Sequence, residues 1–211
     1  MSEKAIKQES TIKKKWYKPV GIMVVCVLLF IVGYVAIHQS SKRKIVRSIG
    51  LSENDVIATL KKKNYFDKDY NPDGKGIENK YVLQEINGDS VVFDEATNLI
   101  WQKSGSPNEM IYKDAKKYID RLNNDHFAGS GKWRLPKLEE AMSLMEPEKK
   151  NYLYIDPIFD RKQMEIWTAE QTYGASWAWF VSFYYGGCNR NLLLFNNNYV
   201  RAVRSRQAFE E

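Results

Sequence analysis

The most distinctive chemistry-bearing spacing in the chain is a run of oxygen side chains in its first half. Asp67-Lys68-Asp69-Tyr70-Asn71-Pro72-Asp73-Gly74-Lys75-Gly76-Ile77-Glu78 puts Asp67, Asp69, Asn71, Asp73 and Glu78 at positions 1, 3, 5, 7 and 12 of a twelve-residue loop, the spacing with which an EF-hand surrounds calcium. Two positions depart from that pattern. Pro72 stands where glycine allows the sharp turn, and Gly74 stands where an aliphatic residue is usual. Tyr81-Val82-Leu83 then reads as a strand rather than a second flanking helix. The plainer reading is a polar turn made by Asn, Pro, Asp and Gly, so no cofactor is expected, with calcium as the alternative.

Nucleophilic chemistry has less to draw on. The two cysteines are Cys26, in an apolar run near the N-terminus, and Cys188, far downstream, so neither an intrachain disulfide nor a multi-cysteine zinc site is expected. Cys188 follows Gly186-Gly187 and reads more readily as a small packed residue than as an attacking thiolate. The histidines are His38 and His126, so a Ser-His-Asp or Cys-His site in the distal region would rest on His126 alone. No sequence spacing singles out an acid/base pair among the carboxylates.

Recognition chemistry is better represented. Trp177, Trp179, Tyr184 and Tyr185 offer aromatic faces, and Asn189, Asn191, Asn196, Asn197 and Asn198 offer amide donors and acceptors suited to sugar hydroxyls. Alternate aromatics on a strand also fill cores, and asparagines also make turns. Arg134, Arg201 and Arg204 could form a cationic patch for an anionic polysaccharide. Alternatively they are buried partners of Asp94, Glu139 or Asp156 that hold loops in place, which suits a domain that is not basic overall.

These groups have to be positioned by elements that follow a tether. Val20 to Ile37 is an eighteen-residue stretch without charge, preceded by Lys13, Lys14, Lys15 and Lys18 and followed by Lys42, Arg43 and Lys44. At ~1.5 Å per residue it reaches roughly 27 Å as a helix, close to the hydrocarbon thickness of a bilayer. It reads as a retained membrane span rather than a cleaved signal peptide, because the apolar run is long and no A-x-A site follows. The expected organisation is a basic cytoplasmic tail at 1–18, a transmembrane helix at 19–38, a stem with a short helix and polar turn at 39–80, a domain at 81–206 and a tail at 207–211. Basic residues flank both ends of the span, so positive-inside bias favours a cytoplasmic N-terminus only slightly, with the domain outside. The expected location is a bacterial cytoplasmic membrane.

Charge is distributed to match. The formal net charge is +6, but residues 1–80 hold 16 Lys+Arg against 8 Asp+Glu, whereas residues 81–211 hold 16 against 18. The basic excess therefore belongs to the membrane flanks and stem, where anionic lipid is a natural partner. Nucleic acid is not expected as a partner, since its binding needs a basic face on the domain itself. With 44% hydrophobic and 13% aromatic residues the chain can fill a core.

Along the stem, Ser52 is placed to cap a helix with Asp55 at its third position, Leu51 to staple onto Val56, and Lys61 to Lys63 to end it. Strands are expected at 81–84, 90–93 and 99–102 as a meander, with turns at Asn87-Gly88-Asp89 and Ala96-Thr97-Asn98. Tyr112, Ala115, Ile119 and Leu122 then recur at helical spacing, and Ser106-Pro107-Asn108-Glu109 resembles a capping box for that helix. A second helix after Pro136 carries Leu138, Ala141, Met142 and Met145 inward. Further strands are expected at 165–168, 177–183, 192–195 and 199–204, with Gly186-Gly187 and Asn196 to Asn198 as turns. Strands, two helices and more strands predict an α+β domain whose two main helices pack on an antiparallel sheet.

Taken in order, Phe93 to Gln102, Trp133-Arg134-Leu135-Pro136, Ile155-Asp156-Pro157-Ile158-Phe159, Trp167-Thr168, Ala178-Trp179-Phe180-Val181 and Tyr199 to Arg204 resemble the Lcl C-terminal-like domain family over about residues 81 to 206. Trp101, Trp133, Arg134, Leu135, Pro136, Asp156, Trp167, Arg201 and Arg204 carry the resemblance as structural residues. It implies a C-type-lectin-like α+β fold, here behind a single N-terminal transmembrane helix. Trp133-Arg134-Leu135-Pro136 before an acidic helix is also distantly similar to the formylglycine-generating enzyme superfamily. Those enzymes need paired active-site cysteines, and this domain has only Cys188, so the resemblance implies no catalytic residues here.

Calcium-dependent lectins of the same general fold use Glu-Pro-Asn or Gln-Pro-Asp with Trp-Asn-Asp. The nearest segment here, Glu146-Pro147-Glu148, follows a helix and lacks the second motif, so proline as a helix stop explains it. The expectation is a membrane-anchored, non-enzymatic recognition module outside the cytoplasm, with a glycan or envelope protein as ligand. A degenerate enzyme on the formylglycine-generating scaffold and a structural subunit of an envelope assembly are the alternatives.

Overall fold

A computed structural model of the chain describes residues 29–35, 50–174 and 176–206. Residues 29–35 are helical, and the rest of the expected span at 19–38 lies outside the described residues, as do the tails at 1–18 and 207–211. Among the described residues no helix is long and apolar enough to cross a membrane. The chain divides into two units, Met1–Ser48 and Ile49–Glu211. Every strand among the described residues belongs to the second.

That unit begins with α1 (Glu53–Lys63). The Ser52 hydroxyl accepts from the Asp55 N–H at 3.2 Å while the Ser52 N–H donates to the Asp55 carboxylate at 3.2 Å, a capping box with aspartate in the usual glutamate place. Lys61, Lys62 and Lys63 sit at the carbonyl end, and Asn64 closes the helix in the left-handed region at φ 56°. Val56 and Leu60, one turn apart, are buried together with Tyr65 and Phe66 in the main core, and Leu51 packs on the same cluster. The segment expected as a stem is thus part of the folded unit from residue 51 onward. Its apolar face finds a partner that only the rest of the fold supplies.

The remaining elements are β1 (Tyr81–Ile86), β2 (Asp89–Asp94), β3 (Leu99–Gln102), α2 (Tyr112–Asn124), a 3-10 turn (Phe127–Gly129), α3 (Leu138–Met142), β4 (Glu165–Gln171), β5 (Trp177–Ser182), β6 (Gly187–Leu192) and β7 (Val203–Ser205). The meander forms as expected, its first turn taking positive φ at Asn87 and Gly88 (55° and 84°), which suits the twist of a two-residue hairpin. β7 joins β3, giving an antiparallel sheet ordered β1-β2-β3-β7. A second antiparallel sheet, β4-β5-β6, stands apart from it, so the single sheet expected from the sequence is two. Isolated bridges extend each sheet: Ile166 of β4 pairs in parallel with Tyr199, and Val203 of β7 pairs with Arg134.

β5 lies between two cores, and its alternation shows why. Trp179 and Val181 face the cluster that contains Val56, Leu60 and Tyr65, while Ala178 and Phe180 face the cluster that contains α2 and Trp133. On α2 the four periodic residues Tyr112, Ala115, Ile119 and Leu122 are all buried.

Four local expectations are corrected. Ser106 does not cap α2, which starts after Ile111 without a side-chain cap. Its buried hydroxyl accepts from the Val200 N–H at 2.9 Å and donates to the Asn108 carbonyl at 2.9 Å. α3 is only five residues long, and Met145 is buried beyond its end. The strand expected at 192–195 is the end of β6, where hairpin pairing with β5 wins over apolar content and leaves Leu194 and Phe195 in a turn. The strand expected at 199–204 is divided: Tyr199 bridges to Ile166, and only Val203–Ser205 pairs with β3.

Candidate functional site

The five oxygen side chains of the 67–78 loop do not converge. Asp67 is buried, and its carboxylate accepts from the Asp69 and Tyr70 N–H groups at 3.0 and 2.9 Å and from the Cys188 N–H at 2.9 Å. Asn71 donates to the Tyr65 carbonyl at 2.8 Å, while Asp69, Asp73 and Glu78 point into solvent. Among the described residues, no group of three or more His, Cys, Asp or Glu is placed to hold a metal ion.

The nine aromatic and asparagine residues are distributed over different surroundings. Trp179 is fully buried: its indole N–H donates to the Leu51 carbonyl at 3.1 Å and the Arg190 guanidinium lies 5.5 Å over its ring. Arg190 in turn pairs with Glu53 at 2.8 Å, so Trp179 joins β5, β6 and the entry to α1. Trp177 is half exposed at one end of β5 and borders a groove of about 280 Å³ with Thr172, Asn189 and Arg190. Tyr184 and Tyr185 form an edge-to-face pair beyond the other end of β5, roughly 17 Å away at ~3.3 Å per strand residue. Of the other asparagines, Asn198 is buried and accepts from Asn191 at 3.3 Å, Asn196 accepts from the Leu192 N–H at 3.2 Å, and Asn197 is exposed. Of these nine residues, Trp177 and Asn189 line this groove together.

The arginines of the shared motifs hold the fold, with partners other than the carboxylates expected. Arg134 forks onto Glu140 at 2.6 and 2.7 Å rather than onto Asp94, Glu139 or Asp156. Burial pushes the Glu140 carboxyl up, but Arg134 and the Lys137 N–H outweigh it, and the net shift is downward. Arg201 is fully buried and donates to the carbonyls of Gln102 (3.2 Å), Lys103 and Asp160 (2.9 Å), with the Phe159 ring 4.9 Å from its guanidinium. Burial draws its pKa down to about 10, opposed by the Asp160 charge, so it is a cation at neutral pH. Arg204 lies 5.4 Å over the Trp133 ring. Asp94 binds Thr97 and local N–H groups, Asp156 caps Ile158 and meets Lys150 at 3.6 Å, and Glu139 meets Lys63 at 3.8 Å.

The motif tryptophans and their neighbours are equally structural. Trp101, Trp133 and Trp167 are buried, as are Leu135 and Pro136. Trp133 donates to the Phe127 carbonyl and Trp167 to the Met110 carbonyl, each at 2.8 Å. Cys188 is buried against Asp67, and burial, with the Asp67 charge, pushes its thiol far above the usual range. A neutral, enclosed thiol is a poor nucleophile. His126 is exposed, with Nδ1 3.1 Å from the Asn124 carbonyl.

A larger concavity, of about 390 Å³, lies where the sequence reading placed nothing. It is lined by Gly88, Asp89 and Ser90 from the first hairpin, Gln102, Ser104 and Gly105 from the exit of β3, Tyr118 and Leu122 from α2, and Phe127. Its walls are held firmly. Asp89 accepts from the Ala128 N–H at 2.7 Å, Gln102 donates to the Tyr118 hydroxyl at 3.0 Å and accepts from the Ala202 N–H at 3.0 Å, and Phe127 packs edge-to-face on Trp133. Gly105, at φ 89°, has no room for a side chain: a Cβ there would stand 2.4 Å from the Val200 carbonyl oxygen. Burial raises the Tyr118 phenol, whose hydroxyl donates to Gln102 Oε1 at 3.4 Å. Hydroxyl, amide, carboxylate and phenol groups beside the apolar wall of Leu122 and Phe127 suit an uncharged, hydroxyl-rich ligand that stacks one face on a ring. No signal in the sequence could have found this site, because its residues come from four segments and none is unusual alone.

The family model described as Lcl C-terminal domain matches residues 90–204, from β2 into β7. No curated protein and no solved structure matches the chain.

Proposed function

The chain belongs to the Lcl C-terminal domain family, and we propose that it is a membrane-anchored, non-enzymatic recognition module of the bacterial envelope that holds a hydroxyl-rich ligand such as a glycan in the groove between the first hairpin and α2. The observation that carries this reading is the polar concavity lined by Asp89, Ser90, Gln102, Ser104 and Tyr118 and walled by Phe127. The uncharged run from Val20 to Ile37 with its basic flanks supports the anchor, and with it an extracytoplasmic domain. Two antiparallel sheets with α2 and α3 between their strands in sequence, and a last strand that returns to the first sheet, support the C-type-lectin-like reading of the fold. An enzyme acting through Cys188 is disfavoured by the burial of that thiol.

The test is retention of the detergent-solubilised full chain on glycan and envelope-protein arrays, with calcium and with chelator. Ser90→Trp, on an exposed position of the groove rim, should abolish retention without lowering the melting temperature. Retention unchanged by a filled groove would overturn the assignment.

A further inference from the structure

Two loops at one end of the β4-β5-β6 sheet contain no charged residue and display four large apolar side chains, with Asp55 3.5 Å from the Tyr173 hydroxyl and Arg190 beside Trp177 at the rim. Tyr173, Trp177, Leu194 and Phe195 are 42%, 43%, 69% and 77% exposed. Backbone bonds from Thr172 N–H to the Trp177 carbonyl (3.0 Å) and from Leu193 N–H to the Ser176 carbonyl (3.2 Å) set their two loops side by side. The second loop is closed by Leu192 and Asn196, which exchange bonds of 3.2 Å in each direction, while Leu193 turns onto the core. Leu194 and Phe195 are therefore held outward by a built turn. Neither 171–178 nor 191–199 contains an acidic or basic residue.

The chain enters the folded unit at this same end. Leu51 N–H donates to the Gln171 carbonyl at 2.8 Å, and a Cβ on Gly50 would lie 2.6 Å from the Thr172 and Tyr173 backbone. Between Ile37 and Gly50 run twelve residues whose charges are Lys42, Arg43, Lys44 and Arg47, with no acid among them. Twelve residues can span at most about 43 Å. That limit bounds the distance from the expected span to this entry end, and the four cations of the segment favour anionic head groups.

We propose that Tyr173, Trp177, Leu194 and Phe195 form a lipid-docking tip that seats the domain in the interfacial layer of the bilayer holding its own N-terminal span. Trp and Tyr prefer that layer because the ring is apolar and its N–H or O–H stays hydrated, and Leu and Phe gain by leaving water. The opposite end of the β5–β6 hairpin is unlike it: Tyr184 is covered by Lys149 at 5.3 Å, and no leucine or phenylalanine stands exposed beside it. The tip shares no residue with the proposed ligand groove, so a docked domain leaves that groove free. The proposal rests on the anchor reading above.

The test uses the full chain reconstituted in phosphatidylcholine–phosphatidylglycerol vesicles, with an environment-sensitive fluorophore on Phe195→Cys or, at the other end, on Tyr185→Cys, each in a Cys26→Ser background. Flotation of the vesicles reports the anchor separately. The expected result is a blue-shifted emission at 195 that shallow spin-labelled lipid quenches, no quenching at 185, and loss of the quenching at 195 when Leu194→Asp is added. Equal, water-like emission at both positions in a chain that floats would overturn the proposal while leaving the anchor intact. Shielding at 195 that follows protein-to-lipid ratio without lipid quenching would assign the tip to a second copy and also overturn it. A chain that does not float overturns the anchor itself.

Discussion

Asp67 and Cys188 lie 121 residues apart and meet through a hydrogen bond from the Cys188 backbone N–H to Asp67 Oδ2 at 2.9 Å. The same carboxylate receives two N–H groups of its own loop, and a Cβ on Gly187 would stand 2.9 Å from it. A buried carboxylate thus fastens the loop after α1 to the start of β6. Asp67→Ala, which strands these donors, should cost about 2 kcal/mol or more in urea denaturation. Calcium at millimolar concentration should produce no binding heat and no rise in melting temperature. A saturable heat would restore the loop as a calcium site.

Arg201 should be the least replaceable charged residue of the domain. Arg201→Met leaves the carbonyls of Gln102, Lys103 and Asp160 without their donor and should cost about 3 kcal/mol or more. Arg201→Lys should recover little of it, since an ammonium cannot span the three acceptors as a planar fork does. Equal melting temperatures for wild type and Arg201→Lys would show that the fork is not required.

Acid should weaken the Arg134–Glu140 fork in a defined window. The folded carboxyl of Glu140 is shifted below its ordinary 4.5, so its contribution is fully present above that pH and is lost as pH falls from there through the lower folded value. Glu170 acts in the opposite sense: burial raises its carboxyl, and protonation relieves that penalty. Stability of Glu140→Gln measured against pH should therefore fall less steeply below about 4.5 than that of wild type. Parallel curves would remove the fork from the acid response.

The thiol of Cys188 should be protected in the native chain and reactive once unfolded. Alkylation followed by mass spectrometry, with and without urea, measures this. Rapid labelling of Cys188 in the folded protein at neutral pH would reopen the reading of this residue as a nucleophile.

Elements whose cause is local were legible from their residues. Ser52 with Asp55, the Asn87-Gly88 turn and the Tyr112, Ala115, Ile119, Leu122 stripe each act within a few residues, so their pattern survives in one dimension. Membership of the family was legible for the related reason that ordered motifs persist in sequence. Where β6 lay was not, because Gly187 to Leu192 is a mostly polar strand chosen by its pairing with β5, while the more apolar Leu193 to Phe195 falls in a turn.

By itself the sequence determined that an uncharged run precedes an α+β domain carrying shared tryptophan and arginine motifs. Only the tertiary structure decided that those arginines grip Glu140 and backbone carbonyls, that Trp177 and Tyr184 face different ends, and that Asp89, Gln102, Tyr118 and Phe127 surround one groove. Helical and strand periodicity report a side chain's own element. Its partner across the core is set by packing between segments that can lie more than a hundred residues apart, and no local pattern records that choice.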